Sequence, residues 1–299
     1  MQDFWRVVWE QDVRVIVMLT AETEGGQLKC HPYWKGKTFG PLTLQPLSER
    51  KAALADGTRD ARRGSTSTSR SGAGQRRQTN PTLDHGAPPS PVPRPEQPHI
   101  VIRKFALSHA AHPFAPIREI TQLQYSSWPD FGAPAHPAQV LSLVEHCNAI
   151  VRSHNSPVLA TGGASGQRRQ RPVLVHCSAG CGRTGTFCTI DTVIDMLRQQ
   201  RLENETASQT AAEPMDIELS DASSSTINPA PTSVATHSDW MHDGDLDLIA
   251  KTVEEFRDQR LSMVQSLRQF VLCYETVLEW LVAQQRPDHT GRRSYSGGH

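Results

Sequence analysis

The sequence predicts an α/β fold, and three observations carry that prediction. An apolar run ending in His-Cys, "PVLVHC", leads through a few small residues into the amphipathic stretch "RTGTFCTIDTVIDML", giving a strand-loop-helix unit over about 171–200. Three Val/Ile-rich segments upstream, "DVRVIVML", "IVIRKFALSH" and "IREITQLQYSSW", read as strands. Segments of helical period lie between and after them, the order that builds a sheet covered by helices.

The elements follow in four ordered blocks separated by three low-complexity inserts. Block one, about 1–47, holds the buried strand "DVRVIVML". The first insert, 48–98, is rich in Arg, Ser, Gly and Pro and ends in "APPSPVPRPEQP"; such a segment buries too little apolar surface to offset its ordering entropy. Block two, about 99–154, contains two strands and then "HPAQVLSLVEHCNAIVRSH", a helix with Pro137 near its start and Val140, Val144, Cys147 and Val151 on one face. A Gly/Ser/Gln/Arg insert, 155–170, precedes the strand-loop-helix unit, and an acidic Ser/Thr/Ala-rich insert, 201–242, follows it. The last block reads as two helices, about 246–260 and 267–284. Ser266 and Gln269 before the second have the spacing of a capping box. Long loops add little closure entropy, so the inserts are expected to be disordered surface excursions from one domain spanning 1–284, with a disordered tail at 285–299.

Composition narrows the function. Thirty-one basic and 31 acidic residues leave no net charge, which argues against a nucleic-acid binder driven by bulk charge. A hydrophobic fraction of 37% with 21 Pro and 20 Gly is thin for a chain packed throughout, in keeping with the inserts. No stretch approaches the roughly 18 apolar residues of a membrane span. "MQDFWRVVW" is unlike a secretion signal, so the six cysteines are expected to be reduced thiols in the cytoplasm or nucleus.

Chemistry concentrates in "HCSAGCGRT". Ser178, Ala179, Gly180, Cys181 and Gly182 are small enough for the backbone to curl with its N–H groups inward, and a helix begins at once afterwards. Inward amides and a helix N-terminus make an anion cradle, and Arg183 adds a planar clamp for a phosphate. A cysteine inside such a cradle is pulled toward the thiolate, so Cys177 is expected to attack phosphorus while the loop holds the phosphate. His176 is expected to orient the loop through a hydrogen bond. The bland alternative is a buried cysteine followed by an arginine by chance; the preceding strand, the glycine pair, Thr184 and the following helix weigh against it. A zinc site at His176, Cys177 and Cys181 lacks a second ligand pair of zinc spacing, so neither metal nor cofactor is expected.

"VHCSAGCGRTGTF" closely resembles the signature loop of the protein tyrosine phosphatases. "WPDFGAP" (128–134), "MVQSLRQF" (263–270) and "DFWRVVWEQDVRVIVMLTAETEGGQLKCHPYW" (3–34) resemble three further family segments, in the family's order. The resemblance implies an α/β fold with a twisted central mixed sheet, mostly parallel, flanked by helices on both faces. It implies that Cys177 is the nucleophile, Arg183 the phosphoryl clamp, Asp130 the general acid, Thr184 the hydroxyl that stabilises the departing thiolate, and Gln265 the residue that orients water. Gln269 would help bind substrate, while Glu24 holds Arg183, Lys29 meets Asp130 or substrate when the loop closes, and Trp128 anchors the mobile loop. Phosphotyrosine-containing proteins are the implied partners, with a MAP kinase as one target by analogy. The alternative function is a phosphotyrosine-binding pseudophosphatase or scaffold. The family's N-terminal segments find no counterpart, so a truncated catalytic domain is expected, with an unpaired sheet edge and poor solubility.

Overall fold

The computed structural model describes residues 1–55, 97–155, 171–210, 240 and 243–285. In chain order the elements are α1 (Gln2–Glu10), β1 (Val15–Met18), the short hairpin β2 (Thr23–Glu24) and β3 (Gln27–Leu28), β4 (Thr38–Phe39), β5 (Leu42–Ala53), β6 (His99–His109), β7 (Arg118–Gln124), α2 (Pro137–Asn155), β8 (Val173–His176), α3 (Gly182–Thr210), α4 (Leu248–Gln259) and α5 (Leu267–Gln285).

Six strands form one mixed sheet in the order β4-β5-β6-β7-β1-β8. The three pairings from β4 to β7 are antiparallel, and β7-β1 and β1-β8 are parallel. The expectation of a mostly parallel sheet is therefore corrected. Parallel neighbours need a crossover connection, and only the chain around β1, β7 and β8 supplies one. That parallel trio positions the site. Met18 stands level with Gln124 on one side and with His176 on the other, so the loops after β1, β7 and β8 leave the sheet at the same height.

The all-apolar run "VIVM" of β1 is buried on both faces, as a central parallel strand requires. Val15, Val17 and Leu19 join a core with α2, α3, α4 and α5. Ile16 and Met18 point the other way and pack with Trp5 and Val8 of α1, and with Phe105 and Ile120. Trp5 is fully buried, and its indole N–H donates to the Tyr33 carbonyl at 3.1 Å, tying α1 to the loop beneath the site. Residues Val140, Val144 and Cys147 of α2 face the core, as their spacing predicts. The capping box at α5 forms in both directions: the Gln269 amide N–H donates to Ser266 Oγ at 3.2 Å and the Ser266 N–H to Gln269 Oε1 at 3.3 Å.

Three further differences from the sequence reading have physical causes. Strand β5 continues through Ala53, into the segment read as the start of the first insert. Its residues 46–51 are exposed, so no apolar alternation marks them, and it is held instead by pairing with β6 and by the Arg103–Glu49 ion pair at 2.6 Å. Likewise α3 runs on to Thr210, past the expected start of the third insert at 201, as an exposed helical extension carrying an Arg201–Glu205 pair at 2.9 Å. Helix α1 was read only as part of a longer segment, because it buries just Trp5 and Val8. Leu54 packs in the core and its N–H donates to the Pro98 carbonyl at 2.9 Å, Trp240 packs against that core, α2 extends to Asn155 and α5 to Gln285, so the inserts and tail begin later than expected; residues 56–96, 156–170, 211–239, 241–242 and 286–299 lie outside the described residues.

Candidate active site

Each functional side chain reaches the site from a loop at the C-terminal ends of β8, β1 and β7, or from the turn before α5, the usual ligand-binding position of such a sheet. The loop after β8 carries Cys177, which is 6% exposed. The Gly180 N–H donates to Cys177 Sγ at 3.2 Å. Burial by itself would raise this thiol. The Thr184 hydroxyl and the amides of Thr184, Cys181 and Gly180 outweigh it and hold Cys177 below the ordinary thiol range. Thr184 Oγ1 is buried without a regular hydrogen-bond partner, so its contribution is the pull of a nearby hydroxyl dipole on the sulfur. Four other thiols behave oppositely: burial raises Cys147 and pushes Cys30 to about 11 and Cys188 and Cys273 to about 12. Cys177 is thus chemically singled out by its loop.

Arg183, on the first turn of α3, is 1% exposed. Its Nη1 donates to Glu24 Oε1 at 2.6 Å and to the Trp128 carbonyl at 2.9 Å, and its Nη2 to Asp130 Oδ1 at 3.2 Å. The carboxylate of Glu24 also accepts from Thr20 Oγ1 at 2.7 Å. Burial raises Glu24, but Arg183 and Thr20 more than compensate and keep its carboxyl ionised. The turn between β2 and β3 is Gly25-Gly26, both at positive φ (56° and 78°), a tight hairpin that pairs Glu24 with Gln27 and puts Lys29 opposite Glu22, whose carbonyl accepts its N–H at 2.9 Å.

Asp130 sits in the loop after β7. It accepts from Lys29 Nζ at 2.9 Å through Oδ2 and from Arg183 through Oδ1. Lys29 chiefly, with Arg183, holds its carboxyl below the usual range against a partial burial effect. Trp128 is fully buried and donates its indole N–H to the Gly132 carbonyl at 3.1 Å, closing the loop on itself.

The turn before α5 brings in the two glutamines. Gln269 is buried, and its Oε1 accepts from the Gln265 N–H at 3.0 Å. A Cβ on Gly182 would lie 2.7 Å from Gln265 Oε1 and 2.9 Å from Gln269 Oε1, so a larger residue at 182 would push both amide ends aside. His176 Nδ1 faces the Cys177 carbonyl at 3.2 Å, and its Nε2 faces Tyr33 Oη at 2.8 Å. Burial keeps the imidazole neutral.

The structure therefore brings Cys177, Arg183, Thr184, Asp130, Glu24, Lys29, Trp128, His176, Gln265 and Gln269 into one constellation with the backbone of Ser178, Ala179, Gly180, Cys181 and Gly182. Sequence reasoning missed Arg260, just past α4. Its Nε donates to Cys181 Sγ at 3.0 Å and its Nη2 to the Ala179 carbonyl at 2.9 Å, bracing the loop from outside. It also missed Thr20, Tyr33 and Gln122. A cleft of about 450 Å³ opens over Cys177, walled by Phe4, Lys29, His31 and Arg260 among others. Among the described residues no cluster of three or more His, Cys, Asp or Glu could hold a metal ion, and no helix is long and apolar enough to cross a membrane.

The family model described as "Protein-tyrosine phosphatase" matches residues 1–67 and 93–213. The chain belongs to the protein-tyrosine phosphatase family. Rat tyrosine-protein phosphatase non-receptor type 9 is 27% identical over 286 residues, 93% of this chain and 32% of that protein. The Drosophila melanogaster tyrosine-protein phosphatase corkscrew is 31% identical over 207 residues, 68% of this chain and 18% of that protein. The chain thus spans about a third or less of these relatives. The crystal structure of the catalytic domain of human protein tyrosine phosphatase non-receptor type 18 superposes with a TM-score of 0.51 at 24% identity, covering 93% of this chain and 64% of that one, which supports the α/β fold.

Proposed function

We propose that this chain is a protein-tyrosine phosphatase that hydrolyses phosphotyrosine on proteins through a cysteinyl-phosphate intermediate. The observation that carries the reading is the lowered pKa of Cys177, in a loop whose amides face its sulfur, beside a buried arginine that also touches a carboxylic acid.

Substrate phosphate enters the loop as a dianion and takes hydrogen bonds from the loop amides and Arg183. Arg183 is already held in plane by Glu24 and the Trp128 carbonyl, so little reorganisation is needed. The Cys177 sulfur attacks phosphorus as the bond to the tyrosyl oxygen breaks, and Asp130 gives its proton to that oxygen. Asp130 must therefore be protonated in the complex. In the free chain Lys29 and Arg183 hold it ionised. A phosphate dianion satisfies Arg183 and places negative charge beside the carboxyl, which raises its pKa toward the acid form. In the second step Asp130 removes a proton from a water oriented by Gln265. That water attacks phosphorus, the S–P bond breaks, and the thiolate leaves, stabilised by the Thr184 hydroxyl and the loop amides.

The substrate class is phosphotyrosine-bearing protein, a phosphorylated MAP kinase being one case to assay, and the setting is intracellular signalling in the cytoplasm or nucleus. Phosphate release from a phosphotyrosine peptide by wild type and by Cys177→Ser tests the reading. Turnover by the wild type alone supports it. Tight peptide capture with equal, background release from both would replace it with a phosphotyrosine-binding scaffold.

A further inference from the structure

A row of buried polar side chains crosses the sheet from its exposed antiparallel half to the catalytic loop. At its outer end Arg103 of β6 is fixed by Glu49 (Nε to Oε2, 2.6 Å) and by the Gln124 side-chain carbonyl (2.7 Å), with its guanidinium 5.1 Å from the Trp34 ring centre. Its Nη1 also reaches Gln122 Oε1 at 3.1 Å. Gln122 is fully buried on β7, and its Nε2 lies 2.7 Å from Tyr33 Oη. Tyr33 in turn meets His176 Nε2, and His176 Nδ1 meets the Cys177 carbonyl.

We infer that Gln122, held in one orientation by Arg103, is a positioning residue that sets the direction of this hydrogen-bond relay and so keeps the His176 proton on Nδ1, donating to the Cys177 carbonyl. The inference rests on the proposed role of Cys177. A guanidinium has donors only, so the Gln122 oxygen must face Arg103 and its NH₂ must face Tyr33. Tyr33, having accepted there, turns its own hydrogen to His176 Nε2. That leaves Nε2 as acceptor and Nδ1 as the protonated nitrogen, so each link has one allowed polarity. A carbonyl that accepts a hydrogen bond makes the N–H of its own peptide a stronger donor. For the Cys177 carbonyl that N–H belongs to Ser178, so the relay polarises the first peptide of the loop, next to the amides of Gly180, Cys181 and Thr184 that act on the sulfur.

The substitution Gln122→Glu isolates the effect. It keeps the shape and an acceptor facing Arg103; ionised beside that guanidinium, it replaces the donor facing Tyr33 with an acceptor and adds one negative charge, so the tautomer of His176 is the readout specific to the relay. Tyr33 then turns its hydrogen to residue 122, and His176 must donate from Nε2, which leaves Nδ1 as a lone pair facing the Cys177 carbonyl. The other groups acting on the relay and the sulfur are untouched: Arg183, Arg260, Cys181, Cys188 and Thr184 around Cys177, Phe4 beside His176, and Cys30 near Tyr33.

Two readouts on the full chain, neither requiring turnover, decide the matter. Nitrogen-15 NMR of His176 is expected to move from the Nδ1–H to the Nε2–H tautomer in Gln122→Glu. Alkylation of Cys177 by iodoacetamide, at a fixed pH below its midpoint, is expected to slow about threefold, a tenfold change corresponding to one unit of pKa. Arg103→Met, at a partly exposed position, keeps the idea testable should the first variant fold poorly: it frees the Gln122 amide to flip and is expected to give a mixture of tautomers. A proton retained on Nδ1 in folded Gln122→Glu, or an alkylation rate equal to wild type, overturns the inference. Failure of wild type to release phosphate would instead count against the proposed function and leave these readouts intact.

Discussion

The loop at 177–183 and the loop at 128–132 meet at Arg183 but are held in place by different means. The first is held chiefly by its own backbone, with Arg260 bracing it from outside. One amide donates to the sulfur, the Gly185 N–H closes on the Cys181 carbonyl at 2.7 Å, and the helix that follows starts within the loop. The second reaches the centre through ion pairs, Asp130 to Lys29 and Asp130 to Arg183. These partners lie 101 and 53 residues away in sequence. The difference separates a preorganised cradle from an acid that can be engaged and released. Both Lys29 and Arg183 lower the Asp130 pKa, so this attachment is in force above the carboxylate's unfolded value near 4 and is lost as pH falls through the depressed value. No such limit applies to the cradle's backbone hydrogen bonds.

The largest expected effect breaks the rigid half. Cys177→Ser removes the only sulfur that the loop ionises, and phosphate release should fall by roughly 10⁴-fold or more while phosphopeptide binding persists. Isothermal titration alongside the kinetics checks both parts. Asp130→Asn breaks the engaged half. It should lower kcat by about 10³-fold, within the range of a positioned acid, and remove the alkaline limb of the rate profile, yet leave Cys177 alkylation close to wild type.

Lys29→Met sharpens the contrast. Its hydrogen bond is the main cause of the lowered Asp130 pKa, so removing it raises that pKa and keeps the acid protonated to higher pH. The alkaline limb of kcat/KM should move upward while the acid limb, set by Cys177 and the substrate phosphate, stays in place. A shift of both limbs together would show that the two loops are not independently held. Smallest is Ser266→Ala, which removes the α5 cap behind Gln265 and should cost about 1 kcal/mol of stability in denaturant unfolding, with little change in alkylation of Cys177.

What could be read from the sequence follows the same division. The cradle is contiguous, so its strand, small residues, clamp and helix appear together in one run over about 171–200. The cap at Ser266 and the core face of α2 were equally local and equally legible. Asp130, Glu24 and Lys29 carry no signal individually and became visible only through resemblance to a family. Tyr33, Gln122 and Arg260 were missed because their roles arise from sheet register and from a helix end, which bring distant polar side chains to Cys177 and Cys181 without any motif. Strand β5 was missed beyond residue 47 because backbone pairing and one ion pair hold it, with its side chains in water.

The central claim is that loop amides and the Thr184 hydroxyl outweigh burial and hold the Cys177 thiol below the ordinary thiol range. Its most direct test is the rate of Cys177 alkylation against pH in the folded chain, with Cys177→Ser as the blank for the other five thiols. An inflection well below the free-thiol value of about 8.5 is expected. An inflection at or above that value would mean that burial has won, and would contradict the account.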